Sequence, residues 1–473
     1  MACGVFMSAV TDACRMVSSF GIVIVVSCAP MGPDHEVPAM ELPASFSQGG
    51  VKWKRQSPAA QPQPRAWWRM FGEPELDSLV GRSLDANQEI AAAAARLKQA
   101  RELSQVARAR YFPAVDMGSG AERSKFRFRG PGGGSTTLES YTVPVDFRYE
   151  IDVWGKIRRQ VESATASEQA AAETLNALRL SVAGEVAQVY WALRAVDADR
   201  EVLARTLEIR GKARDLLAMR RDAGAISGLD LARAETELAT AEADRIRLDQ
   251  TRAELVNALA VLTGSAGGPA LAPKTLLPAP PAFPVSVPSG LLRQRPDIRA
   301  AERNVAAANA EIGVATATFF PVVAINASSG FDASDAAALF DASSLVWSIG
   351  ASAMTPLTSQ KLLRAQRRAT IAAHEAASAD YRQTVLESLR EVENALQAAV
   401  ILERRQAAQD QALAAARKTS GLSVRRFKQG LVSFLDVVEA ERTRLDAERA
   451  ANAIRGERLA VSVSLAKAVG GEW

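Results

Sequence analysis

Polar and apolar residues alternate almost without error from Tyr141 to Val153. Tyr141, Val143, Val145, Phe147, Tyr149, Ile151 and Val153 share one parity; Thr142, Pro144, Asp146, Arg148, Glu150 and Asp152 share the other. Successive side chains of a strand point to opposite faces, so this segment predicts a strand with one apolar and one charged face. A half-buried soluble strand and a transmembrane barrel strand both give that pattern. Leu345, Trp347, Ile349, Ala351 and Ala353 repeat it more weakly. Elsewhere the period is helical. From Lys156 to Arg221 there is no Pro, and only Gly184 and Gly211 interrupt good helix formers. A helix of that length runs roughly 100 Å. Val182, Val186, Val189, Leu193, Val196, Leu203 and Leu207 follow 4,3 spacing with one polar gap at Arg200, as do Val385, Leu389, Val392, Leu396 and Ala399. That spacing predicts coiled-coil packing.

These patterns occur twice. The segment Ile90–Val115, ending in Tyr111-Phe112-Pro113-Ala114-Val115, matches Ile298–Val323, ending in Phe319-Phe320-Pro321-Val322-Val323, at an offset of 208 (321 less 113). Arg220, Gly224, Ser227, Leu229 and Asp230 recur as Arg426, Gly430, Ser433, Leu435 and Asp436 at an offset of 206 (430 less 224). Each half reads as a helix (about 75–110 and 297–318), a β-hairpin, a very long helix, a tight turn and a last helix. The boundaries expected are 66–268 and 289–473 for the two repeats, with a Pro-rich linker at 269–288 between them. Hairpin loops are expected at Gly130–Gly134 and around Asp332–Asp341.

Two hairpins supply about four long strands per chain. Membrane barrels need about eight or more, and lipid does not tolerate open sheet edges. If these strands enter a membrane, several copies must share one barrel.

The amino terminus adds an address. Val17–Ser27 is an apolar run preceded by Arg15, too short to span a membrane and suited to a signal peptide over 1–27. It ends in Val25-Val26-Ser27-Cys28, which resembles the lipobox of bacterial lipoproteins and makes Cys28 the candidate acylation site. Pro30, Pro33, Pro38, Pro43, Pro58, Pro62 and Pro64 follow, so 28–65 reads as an extended tether. The only cysteines are Cys3, Cys14 and Cys28, which leaves no disulfide or thiolate metal site beyond residue 28. His35 and His374 are the only histidines, too few for a His-based triad or metal cluster. A net charge of +4 is too weak to argue for nucleic acid. Neither an enzyme nor a cofactor-binding protein is expected.

In sum the residues resemble the TolC-like outer-membrane efflux proteins, in their lipid-anchored (NodT-type) branch serving RND-type pumps. The resemblance rests on Trp67-Trp68-x-x-Phe71, Asn87 through Ala95-Arg96-Leu97, and Tyr149-Glu150-Ile151-Asp152-Val153-Trp154-Gly155-Lys156. It rests further on Arg295-Pro296-Asp297-Ile298-Arg299-Ala300-Ala301-Glu302, Ala310-Glu311-Ile312-Gly313-Val314-Ala315, Phe319-Phe320-Pro321 and the terminal Gly470-Gly471-Glu472-Trp473. Three features depart from the family pattern: the turn Pro356-Leu357-Thr358-Ser359-Gln360, Glu472 in place of a glycine, and His35 where Tyr is common. The resemblance implies an α+β membrane protein: a trimeric outer-membrane β-barrel, four strands per chain, continued by a periplasmic α-helical coiled-coil barrel. It also implies partners, namely a periplasmic adaptor, an inner-membrane RND-type transporter and outer-membrane lipid.

The candidate sites are contact and pore positions. In each Gly-x-x-Ser-x-Leu-Asp element, Gly224 and Gly430 permit the positive φ that ends a helix, and Ser227 and Ser433 suit N-caps of the next. By resemblance these turns are the tips that meet the adaptor. Asp436 and Glu439 are i, i+3 on one helical face, so a trimer would place six carboxylates around its axis. By resemblance Leu435 would plug the periplasmic gate, Arg442 could pair across helices and hold it closed, and Asp230 is the first-half counterpart of Asp436. Arg123, Lys125, Arg127 and Arg129 alternate with Phe126 and Phe128; lipopolysaccharide phosphates are one partner for them, bulk solvent the other. The function expected is passive exit for drugs or other small toxic compounds. The alternatives are the exit duct of a type I polypeptide secretion system and a pore-less periplasmic coiled-coil lipoprotein.

Overall fold

A computed structural model describes residues 29–43, 66–127, 129, 132–281 and 295–471; Cys28, the signal segment, Phe128, Glu472 and Trp473 lie outside these. The elements are α1 (Pro74–Ala86), α2 (Gln88–Ala109), β1 (Ala114–Met117), β2 (Gly120–Arg127), β3 (Ser135–Ile151), α3 (Lys156–Asp222) and α4 (Gly228–Leu262), followed by α5 (Pro296–Ala317), β4 (Val322–Ala333), β5 (Leu345–Met354), α6 (Gln360–Lys428) and α7 (Phe434–Ala468). No described helix is long and apolar enough to cross a membrane.

Some boundaries differ from the sequence pattern. The single first helix is two, because the Asn87 side chain accepts from the backbone of Glu89 and Ile90 and caps a new helix. The strand expected from Tyr141 to Val153 runs instead over Ser135–Ile151. Its partner is interrupted at 118–119 into β1 and β2, both antiparallel to β3. Asp332, expected in a loop, lies within β4.

The chain divides into two compact units. The first comprises residues up to Asp34, Ala107–Glu162 and Ala310–Ile371. It holds the antiparallel sheet, in the order β1/β2–β3–β4–β5. Tyr141 pairs with Ala333 and Phe331 with Leu345, and Val115 pairs with Phe147. Every pairing joins odd-numbered residues to odd and even to even. All odd residues of the sheet therefore share one face. From β1 to β5 that face collects Val115, Met117, Val143, Val145, Phe147, Tyr149, Ile151, Ile325, Phe331, Leu345, Trp347 and Ile349. The even face collects Asp116, Asp146, Arg148, Glu150, Asn326, Ser328, Ser348 and Ser352. In the same unit the stretch after residue 28 is fastened rather than free. Arg159, 3% exposed, donates to the Met31 and Gly32 carbonyls and to Asp34 at 2.9 Å. Gly32 packs so closely on Gly313 that a Cβ at either would meet backbone at 2.5 or 2.6 Å.

The second unit comprises His35–Val106, Ser163–Asn309 and Ala372–Trp473. Its main core joins Trp67, Phe71, Leu76, Tyr190, Trp191, Leu193, Val392, Leu396, Leu459 and Val463. The 4,3 positions Val182, Val186, Leu193, Leu203, Val385, Val392 and Leu396 are all buried, as helix-on-helix packing requires. Beside this core lies a buried charge network. Asp197, fully enclosed, accepts from Arg194 at 2.9 Å and Arg252 at 2.8 Å. Arg194 also reaches Glu75 at 2.6 Å and the Ala272 carbonyl at 2.7 Å, while Lys274 binds Glu73 at 2.9 Å. This network ties α1, α3, α4 and the linker residues 271–274 together. Burial pushes the Tyr190 hydroxyl up to about 12, so it stays a neutral donor to Glu73 and Glu75.

Removing one partner of such a network strands the rest without compensation. Asp197→Ala is expected to destabilise the protein by about 3–5 kcal/mol, read as a lowered denaturation midpoint in detergent; an unchanged midpoint would show that the network contributes little.

Candidate functional site

Two surfaces concentrate the candidate side chains. One is the pair of helical turns in the second unit. Leaving α3, Gly224 takes φ +70° and donates to the Arg221 carbonyl, and Ala225 donates to that of Arg220, both at 2.8 Å. Leaving α6, Gly430 takes φ +74° and donates to Phe427, and Leu431 donates to Arg426, both at 3.0 Å. Both are Schellman-type closures in which a left-handed residue satisfies the last carbonyls; a side chain at that φ would be strained.

The starts of the following helices differ. Ser433 and Asp436 form a full capping box. The Asp436 carboxylate accepts from the Ser433 amide at 2.8 Å and from its hydroxyl at 2.7 Å. Those bonds hold the Asp436 carboxyl below its ordinary value. Ser227 has the same extended backbone but makes no side-chain cap bond. Asp230 instead lies 3.9 Å from Arg233. The gate candidate therefore has a structural task of its own that the sequence spacing did not reveal.

On α7 the exposed residues Leu435, Asp436, Glu439, Arg442 and Asp446 form one stripe, while Phe434, Val437, Val438, Glu441 and Leu445 turn inward. Neither Glu439 nor Arg442 makes an ion pair within the chain among the described residues. The bond expected of Arg442 is thus not made inside one copy. Leu229 and Leu431 are also exposed beside these turns.

Behind the stripe is a cavity of about 320 Å³, which the sequence did not announce. Leu216, Leu217, Ala234, Phe427, Phe434 and Val437 line it, and all four long helices contribute. Arg220 lies 5.3 Å from the Phe427 ring centre, over its face. Arg210 at its edge pairs with Glu237 at 2.8 Å, and burial lowers its affinity for its proton. Only the recurrence of large apolar residues near each Gly-x-x-Ser element could have signalled this pocket.

The other surface is the two-faced sheet. Its odd face leaves Met117, Trp347 and Ile349 largely uncovered, at 77%, 74% and 70% exposure. An apolar face of this extent on a water-soluble protein would be a liability. Aromatic residues stand at both of its ends: Tyr141, Phe331 and Phe340 near one, Tyr149 and the stacked Trp154–Phe320 pair near the other. Aromatic girdles bounding an apolar band mark membrane barrels.

An amphipathic sheet with one largely apolar face and paired helical hairpins with glycine-terminated turns define a class, the outer-membrane channel with a periplasmic helical domain. The chain belongs to the outer membrane efflux protein family, whose sequence pattern matches residues 79–265 and 287–471. The pyoverdine export outer membrane protein OpmQ of Pseudomonas aeruginosa is 32% identical over 418 residues, 86% of this chain and 88% of that protein. The solvent efflux pump outer membrane protein SrpC of Pseudomonas putida is 29% identical over 462 residues, 96% of this chain and 97% of that one. Among solved structures, the outer-membrane channel OprN superposes with a TM-score of 0.85 at 31% identity, over 93% of this chain and 98% of that one. The family and its relatives are transport proteins. This chain is an outer-membrane efflux channel protein.

The capping asymmetry gives a test. Ser433→Ala is expected to cost about 1 kcal/mol of local stability, seen as faster hydrogen exchange over 434–438, whereas Ser227→Ala changes exchange little. Because the Asp436 carboxyl is held below its ordinary 3.8, its contribution is complete above that pH and is lost as pH falls through the lowered value. Equal effects of the two substitutions, or protection lost already near neutral pH, would contradict the assignment.

Proposed function

We propose that three copies close one twelve-strand barrel in the outer membrane, continued by a helical conduit through which small toxic compounds or drugs leave passively. The inner-membrane partner is an RND-type transporter, and acyl chains on Cys28 add a lipid anchor. The observation that carries this reading is the parity of the sheet. From Tyr141 to Ile151 the apolar side chains of β3 gather on one face and its charged ones on the other, and among the described residues the outer sides of β1/β2 and of β5 pair with nothing. Lipid demands that such edges be closed, and only further copies supply the strands. The even face then lines water. OpmQ and SrpC, named for pyoverdine export and solvent efflux, favour small-molecule cargo.

The α7 stripe is the proposed periplasmic gate. Leu435 narrows the aperture, and Asp436 and Glu439 form rings of carboxylates that draw cations. Arg442, without an intrachain partner, pairs with a carboxylate of a neighbouring copy. Asp230 adds a weaker acidic position. Gly224, Ser227, Gly430 and Ser433, all exposed, form the adaptor-contacting tips.

Two measurements test this. In planar bilayers the purified protein should pass discrete, cation-preferring currents. Asp436→Asn with Glu439→Gln, which spares the cap geometry, should reduce that preference in the reversal potential. Absence of any current, even from the double variant, would sink the channel reading. In the sheet, Val145→Arg should cost about 2–4 kcal/mol of membrane stability, while Ser348→Arg on the even face should fold normally; the reverse order would place lipid on the wrong face.

A further inference from the structure

The β2–β3 hairpin outruns the rest of the sheet. β4 ends at Ala333 opposite Tyr141, so Ser135–Ser140 pair with β2 alone. A strand side left unpaired does not sit in hydrocarbon, so this part stands beyond the apolar band. From Tyr141 to Ile151 the band is about 25 Å tall at the usual strand tilt, enough for the hydrocarbon of an outer membrane. The Ile151 end runs on into α3, toward the periplasm. The hairpin is thus at the outer surface.

The sheet's parity persists into the hairpin without a bulge. Arg123, Lys125 and Arg127 pair with Glu139, Thr137 and Ser135. All are odd-numbered, so the three cations point to the same side as Tyr141 and Val143, toward lipid rather than into the lumen. All three are exposed. One carboxylate stands among them: Glu139, 3.1 Å from Arg123, whose side chain remains 75% exposed. The opposite face at this level carries Glu122, Ser124 and Phe126. A fully solvated loop would have no reason to sort its cations onto the lipid side.

We infer that Arg123, Lys125 and Arg127 form a ledge that binds phosphate groups of outer-leaflet lipids, clamping the barrel rim to the surrounding leaflet. Guanidinium and ammonium groups bind phosphate by charge-assisted hydrogen bonds, and a ledge directly above an apolar wall engages headgroup and acyl chains together. The inference rests on the odd face meeting lipid, as proposed above.

The test uses the full chain in phosphatidylcholine nanodiscs containing lipid A or its dephosphorylated form, with retained lipid counted per chain by mass spectrometry. Wild type should enrich lipid A at least about tenfold over the dephosphorylated form. R123Q/K125Q/R127Q should lose that enrichment, and R123K/R127K should keep it. Equal retention by wild type and the triple variant would overturn the ledge, as would full displacement of lipid A by excess inorganic phosphate, which would mark a simple anion site. Brominated lipid read in parallel separates this from the barrel reading. If the fluorescence lost in Trp347→Phe is quenched in wild type while lipid A is not enriched, the ledge alone fails. If Trp347 is not quenched, both fail.

Discussion

Hydrocarbon offers a backbone no hydrogen-bonding partner, and the architecture of this protein follows from that constraint. From Tyr141 to Ile151 the sheet pairs β3 on both sides through an unbroken odd-to-odd register, which also sorts the strand's side chains into one apolar and one polar face. Among the described residues its two edges remain open. In the proposed barrel, further copies of the same surface would close them. Constant register matters as much as composition here, since a one-residue slip of β4 on β3 would turn Phe331 to the polar face and Asp332 to the apolar one.

The helical unit shows a related economy. Matched glycine-terminated turns end α3 and α6, and the residues just beyond them serve local structure and surface chemistry together. Asp436 caps α7 while its carboxylate stays exposed. Glu439 and Arg442, one turn on, make no ion pair with each other or with another side chain among the described residues. The nearest ion pairs of α7 lie on its more buried side, among Glu441, Arg444 and Glu448, and charged groups left single on the exposed side are what a subunit contact or an aqueous aperture would employ.

Much of this was legible in the sequence because the signals are local. Alternation from Tyr141 to Ile151 reports the pleat directly, and Gly-x-x-Ser-x-Leu-Asp reports a turn through φ and capping alone. Other features depend on residues far apart. Nothing near Asp197 announces that Arg252 and the Lys274 amide will reach it. The break at Asn87 was hidden by the helix-forming run of alanines around it. The side on which Arg123, Lys125 and Arg127 stand could not be read from their alternation, because only the pairing with β3 fixes it relative to Tyr141. His35, in a proline-rich segment that suggested an extended tether, lies 2.6 Å from Glu302, and Arg159 holds the residues just before it.

The central claim is that separate copies complete one closed barrel through the edges β1/β2 and β5. Single cysteine pairs, one on each edge, would trap that contact by oxidation in native membranes. The account predicts a covalent ladder of two and then three chains that stops there, because a closed ring has no free edge left. Products confined to a single chain, or a ladder that continues without limit, would contradict it.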